Sequence, residues 1–288
     1  MESRNRGEYV EGRASKRLRA QVVMYRGHRT GGPVPVRLTL PSATVTLILG
    51  WGDPLSLFHE APSSPAARTT WHAMLAGLQT SSVKGGYEGV AEAVEVEFTP
   101  LGAYMYLGLP LHHLANGHMH PDEVLGTGWS ERLTEQLIAA PDWEGRWAVI
   151  ENALARRMVN AASPSPVVAE AWSRLRTCHG QLSAKDLAAA TGRGSRRLQV
   201  LFREQIGLPP QTVNRILRFQ RALTLPPGAC RSLADRAAMC GYYDQAHMSR
   251  DFRDLAGLTP AQLCALADRA ASRSKAPIDG RLANVFAH

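Results

Sequence analysis

Gln245, His247 and Arg250 stand early in the stretch from Gly241 to Pro260, where Met248, Phe252 and Leu255 recur at i, i+4, i+7. That spacing is one apolar face of a helix. Asp244 occupies the N-cap position and Gly257 the stop. The three polar residues fall mostly off the buried face. Gln can bond an adenine edge in two places and Arg a guanine edge, while Ala246 between them offers a methyl to thymine. Fifty residues earlier, Arg196, Arg197, Gln199 and Arg203 lie on a stretch of similar pattern. Arg193 in the preceding turn, with Arg215 and Arg218 on a long helix after it, are placed for phosphates, which fix register without specifying sequence. The competing reading of each position is a solvated helical face.

A second cluster, His112, His113, His118 and His120 in "LHHLANGHMH", has the residue type of a metal site. Its spacing is not HExxH, no Cys assists, and Asp122 and Glu123 follow only after a proline. Turn and surface histidines are the expectation, with no metal and no cofactor. No nucleophile elbow, Walker loop or GxGxxG is readable, and "GRGS" at 192–195 belongs to a turn between helices. The chain is therefore expected not to be an enzyme. The alternative is an enzyme-like ligand- or metal-binding barrel with an accessory DNA-binding part.

These residues need elements to hold them. From Val167 onward the sequence is a series of short capped helices. "SAKDLAAATG" runs from the Ser183 cap to Gly192, "SRRLQVLFREQIG" ends at Gly207, and "PPQTVNRILRFQRALTL" is longer. "SLADRAAMCG" and "DQAHMSRDFRDLAG" then repeat the first two. At an offset of 50, Leu198 matches Met248, Phe202 matches Phe252, Gly207 matches Gly257 and Pro210 matches Pro260. Gly194 falls opposite the Asp244 cap.

"SLADRAAMCGYYDQAHMSRDFRDLAGLTPAQL" resembles the most specific signature of the AraC/XylS family of bacterial transcription regulators. "DLAAATGRGSRRLQVLFREQIGLPPQTVNRILRFQRAL" is similar to that family's first helix-turn-helix and linker helix. The resemblance departs at Gly194, where a Ser cap is usual, and at Leu263, where an aromatic is common. It implies two helix-turn-helix units that bind double-stranded promoter DNA. It also brings RNA polymerase, a small-molecule effector and a second copy of the chain into view as partners.

Before residue 163 the pattern differs. "VPVRLTL", "VTLIL" at 45–49, "PLSLF" at 54–58 and "AVEVEF" alternate as short half-buried strands between Gly/Pro turns. "LGAYMYLGLPLHHLANG", 128–140 and 142–161 read as helices; in the last, Trp143, Trp147, Ile150, Leu154 and Met158 form a stripe. That stripe motivates an expected dimer contact. Trp51, Trp71, Tyr104 and Tyr106 are candidates for a pocket lining, with plain core the competing role. The N-terminal half also resembles the small β-barrel sensor domains found ahead of this DNA-binding domain.

The fold class expected is α+β: an N-terminal small β-barrel or sandwich with helices, then an all-α tandem helix-turn-helix domain. The boundaries expected are 1–33, a basic flexible tail; 34–163, sensor and dimerisation; 166–271, DNA binding; and 272–288, a C-terminal tail. "SPSP" at 163–166 marks the main break. Charge divides the same way: +5 over 1–33, −6 over 34–165 and +9 over 166–275. A polyanion partner for the C-terminal part follows. Four scattered cysteines, Cys178, Cys230, Cys240 and Cys264, fit free thiols in a reducing cytoplasm. No apolar run approaches a membrane span and the N-terminus has no apolar signal region.

Overall fold

The computed structural model describes residues 7–34, 36–58, 68–159, 161–190, 192, 194–226, 228–273 and 284–286. Ten strands come from the N-terminal half: β1 (Glu8–Gly12), β2 (Val22–Arg29), β3 (Arg37–Thr39), β4 (Val45–Gly52), β5 (Leu55–Phe58), β6 (Arg68–Trp71), β7 (Ala73–Ala76), β8 (Val83–Gly86), β9 (Ala91–Phe98) and β10 (His118–Met119). A short β11 (Asn284–Phe286) pairs antiparallel with β3. One sheet has the order β1-β2-β9-β4-β7-β10 and the other β11-β3-β8-β5-β6. Two separate sheets make a sandwich; the alternative of a closed barrel is not what forms.

Strand alternation sorts the larger sheet into two unlike faces. Tyr25, Leu47, Leu49, Val94, Val96 and Phe98 belong to the main apolar core. That core is completed by α1 (Pro100–Leu107), α3 (Trp129–Ala139) and α4 (Trp143–Met158). The residues between them, Arg26, His28, Thr46, Glu95 and Glu97, line a cavity shared with the second sheet. Ile48, Leu57, Met74 and Ala93 form a small apolar cluster on that side, with Leu55, Trp71, Ala76 and Val83 packed against it. The space between the sheets is thus polar and partly open, while the packed core lies under the helices.

Of the expected basic flexible tail, Glu8–Gly12 and Val22–Arg29 are instead strands, and 1–6 lie outside the described residues. β1 and β2 fall inside 1–33, and β2 is an inner strand hydrogen-bonded to β9. Its charges hid it: Arg26 and Arg29 read as tail, yet they meet Glu97 and Glu92 of β9. Cross-strand pairs of opposite sign make a charged strand stable. The Trp143–Met158 stripe is also spent inside the molecule. Trp143 and Trp147 stack on each other, Trp147 stacks on Tyr25, and the two indoles sit where Gly27 and Gly12 leave no side chain. A Cβ at Gly27 would come within 2.2 Å of Trp143. The stripe is therefore not a free dimer surface.

The C-terminal region is all helix until α11 ends. α2 (Asp122–Leu125) precedes it in the N-terminal half. Then come α5 (Pro166–Thr177), α6 (Ala184–Ala190), α7 (Ser195–Ile206), α8 (Pro210–Thr224), α9 (Leu233–Met239), α10 (Gln245–Ala256) and α11 (Pro260–Arg273). The irregular segment 161–165 coincides with the Ser-Pro break. Of the expected C-terminal tail, 274–283 and 287–288 lie outside the described residues.

Candidate nucleic-acid interface and the cavities behind it

α6 and α7 form one helix-turn-helix, α9 and α10 the other, and α8 joins them. Each second helix is set by its apolar stripe. Leu198, Phe202 and Ile206 of α7 are buried, as are Met248, Phe252 and Leu255 of α10. Phe252 meets Phe219 of α8 edge-on at 4.8 Å. The cap residues behave as their types dictate. Asp244 Oδ1 accepts from the N–H of His247 at 2.6 Å, Ser232 Oγ from Asp235, and Ser183 Oγ from Asp186. Gly257 stops α10 at φ 70°, a left-handed value glycine adopts without strain. α7 starts at Gly194 with no side-chain cap.

The outward faces carry the residues expected there. Arg196, Arg197 and Arg203 of α7 are exposed and Gln199 is half-buried at the edge. On α10, Gln245, Ala246 and Arg250 are exposed. His247 differs. Its ring stands edge-on against Tyr242 at 5.3 Å and its Nδ1 lies 3.5 Å from the N–H of Tyr243, so it braces the turn. Arg193 lies outside the described residues.

Arg215 and Arg218 have partners that the sequence did not announce. Arg215 Nε donates to Asp251 Oδ1 at 2.8 Å and a terminal nitrogen to Asp254 Oδ2 at 2.6 Å. Arg218 stands 3.8 Å from Asp251 and its guanidinium lies 5.3 Å from the centre of the Tyr242 ring. Asp251 is buried, one turn from Met248 and beside Phe252 on the packing face. An acidic residue in that position was the available signal, since a buried carboxylate requires a cation. The pairs clamp α10 to α8.

Elements of the N-terminal half hold the far ends of both recognition helices. Tyr104 of α1 donates to Glu204 of α7 at 3.1 Å. A Cβ at Gly207 would come within 3.2 Å of the Leu111 carbonyl, so glycine permits that approach. Ser82 Oγ donates to the Ala256 carbonyl at the end of α10.

Two cavities lie behind this interface. One, of about 130 Å³, is the inter-sheet space; Arg26, His28, Arg37, Tyr87, Glu95, Glu97 and His118 give it polar walls, and Ile48, Leu57 and Met74 apolar ones. The other, of about 290 Å³, lies between β2, the 42–44 turn and the helices α5 and α8, with Trp172, Arg176, Gln220 and Arg221 among its walls. Arg26, Ser42, Thr44 and Glu97 line both. Arg26 is only 5% exposed and its Nε is a buried donor without a hydrogen-bond acceptor. Burial opposes its charge, but Glu97 and Glu95 beside it more than restore it. His28 is buried against Tyr87 at 3.1 Å; desolvation holds its pKa below the ordinary value, against the pull of Glu95.

The four aromatic candidates for a pocket lining have other roles, nearer the competing one of packing. Trp51 packs under the Arg146 guanidinium, Trp71 hydrogen-bonds Thr69, Tyr104 meets Glu204 and Tyr106 stacks on Phe98. None of the four lines either cavity. Part of the cavity walls is Arg26 and His28 of β2 with Glu95 and Glu97 of β9, charged and polar residues that do not have the look of a pocket in sequence. In the histidine cluster, His112 and His113 face each other at 4.2 Å, the N–H of Asp122 donates to His120 Nδ1, and His118 faces the inter-sheet cavity. Among the described residues no three His, Cys, Asp or Glu side chains are grouped to hold a metal.

Fold and outward faces together define a helix-turn-helix DNA-binding transcription regulator. A family model described as "Helix-turn-helix domain" matches residues 187–265, and that C-terminal domain is of the AraC type. Among solved structures, the chain is similar to an AraC-type DNA-binding-domain regulator from Chromobacterium violaceum, at 27% identity and TM-score 0.30 over 35% of this chain and 90% of that one. It is also similar to ToxT from Vibrio cholerae, at 7% identity and TM-score 0.48 over 83% and 97%. A third is the AraC-like transcriptional activator CuxR, at 13% identity and TM-score 0.26 over 67% and 74%. No curated protein matches the chain. The match over 187–265 carries the assignment.

Proposed function

We propose that this chain is a sequence-specific regulator whose hold on promoter DNA responds to a small molecule bound in the N-terminal half. Arg196, Arg197, Gln199 and Arg203 read one stretch of major groove, and Gln245, Ala246 and Arg250 the next. Arg193 contacts phosphate. Arg215 and Arg218 act first through Asp251, setting the angle of α10, and only secondarily on the DNA backbone; His247 holds the turn and reaches phosphate rather than a base. Functionally the chain divides into a sensing part, extended back to β1, and a DNA-binding part over 166–271.

The observation that carries effector control is the pair of cavities sharing Arg26, Ser42, Thr44 and Glu97. A ligand spanning them would touch Leu217, Gln220 and Arg221 of α8, the helix whose Arg215 holds α10. Any difference in ligand affinity between two angles of α8 would shift the population of DNA-competent molecules. A purely adhesive N-terminal half has less support. Its exposed large apolar side chains, Tyr9, Val90, Ile138 and Val159, are dispersed along the chain.

The test is to select bound sequences from a random duplex pool, then screen small molecules for thermal stabilisation of the full chain. Thr46→Trp fills the inter-sheet cavity. Stabilising compounds should change affinity for the selected duplex in the wild type and do neither in Thr46→Trp. Selection of no sequence would overturn the regulator reading; identical ligand effects in both proteins would overturn the sensor.

A further inference from the structure

The two recognition helices present different chemistry at equivalent positions. Val200 is 61% exposed, the largest apolar exposure on α7. At about 100° per residue, it lies nearly opposite the Leu198–Phe202–Ile206 face, between Arg196 one turn before and Arg203 one turn after. The N-terminal half meets α7 at its far end, through Glu204 against Tyr104 and Gly207 against Leu111. Val200 lies a turn before that contact, on the open face that carries the arginines. By the 50-residue offset its counterpart on α10 is Arg250, also exposed.

A lone exposed valine is ordinary on a protein surface; what sets Val200 apart is its place between two arginines on the outward face of α7. Its branched side chain lowers helix propensity, and left in water it gains no burial. In a major groove it has one apolar target, the C5-methyl of thymine, which is the only methyl group base pairs display there. Arg250, at the matching position, meets the N7 and O6 acceptors of guanine. We infer that Val200 is a specificity-determining residue that reads a thymine methyl, and that the chain's binding site is consequently asymmetric, with thymine in one half at the place where the other half has guanine. This rests on the reading that both outward faces meet DNA.

The experiment uses the full chain. Sequences are selected from a random duplex pool with wild type, Val200→Ser and Val200→Arg, each first shown by circular dichroism to retain helix. The wild type should give two blocks about one helical turn apart, one with a required thymine. Val200→Ser, which has no methyl group, should lose the preference at that position alone, and Val200→Arg should shift it toward guanine. Deoxyuridine in place of that thymidine should weaken wild-type binding roughly fourfold, the worth of one methyl removed from contact. It should leave Val200→Ser unaffected, because the group that sensed the methyl is gone. An unchanged selected motif in Val200→Ser overturns the inference. So does a wild type indifferent to uracil, or an equal uracil penalty in both proteins. Absence of any selected motif overturns instead the regulator reading on which it rests.

Discussion

At the scale of single residues, the groups proposed to read DNA are distinct from the groups that hold the fold. Phe252 holds: it is buried between Met248, Leu255 and Phe219. Phe252→Ala opens a cavity there and should cost about 3–5 kcal/mol of stability, measured as a fall in urea midpoint, with specific and non-specific DNA binding lost together. His28 gives a pH signature. It is enclosed by Tyr87, Glu95 and Arg37, and burial lowers its folded pKa. The folded protein thus binds that proton less readily than the unfolded chain, whose His titrates near 6.5. Its contribution is complete above that value and lost as pH falls from there through the lower folded value. His28→Gln, which keeps a partner for Tyr87, should flatten the stability profile between about pH 7.5 and pH 5; an unchanged slope would assign the proton uptake elsewhere. The residues proposed to read bases are legible in the sequence because capping, periodicity and repeat place Gln245 and Arg250 on an outward face without any tertiary knowledge. Val200 is not, for the opposite reason: an apolar residue in an amphipathic helix counts as core until its direction is known.

At the scale of elements, the proposed control runs through the joint between α8 and α10, where Arg215 and Arg218 meet Asp251. Arg215→Ala leaves the buried Asp251 with only the more distant Arg218. Stripping one partner from a buried carboxylate should cost about 1–3 kcal/mol, read as a lower melting temperature, with operator affinity falling because α10 loses its angle. A phosphate role for Arg215 would instead lower the salt slope by about one unit with stability intact. The start of α7 offers the converse. Gly194 has extended backbone at φ −60°, and a Cβ there would meet nothing within 4 Å. Gly194→Ser supplies the missing cap and removes glycine's entropy, and should stabilise by about 0.5–1 kcal/mol in equilibrium unfolding. Helices at this level are almost fully readable, since α7 and α10 obey local rules. β1 and β2 are not. Arg26 and Arg29 of β2 pair with Glu97 and Glu92, 71 and 63 residues away, β1 is in turn paired with β2, and no local pattern records a partner at that distance.

At the scale of the whole molecule, an ion-paired strand pair, a polar inter-sheet space and a basic helical domain lie in succession. The strand that is invisible in sequence supplies Arg26, which with Glu97 of its neighbour is common to both cavities. The second cavity ends on α8, and α8 sets α10. Control of this kind requires that the outward face of α10 reads bases, and one measurement bears on that most directly. Affinities for a selected operator and for a non-operator duplex are determined at one salt concentration for wild type, Gln245→Ala and Arg250→Ala, with circular dichroism as the folding control. Each substitution should cost about 1–3 kcal/mol on the operator and far less on the other duplex, with helix content unchanged. If the ratio of the two affinities stays at the wild-type value in both variants, α10 does not read bases and this assignment of the interface is wrong.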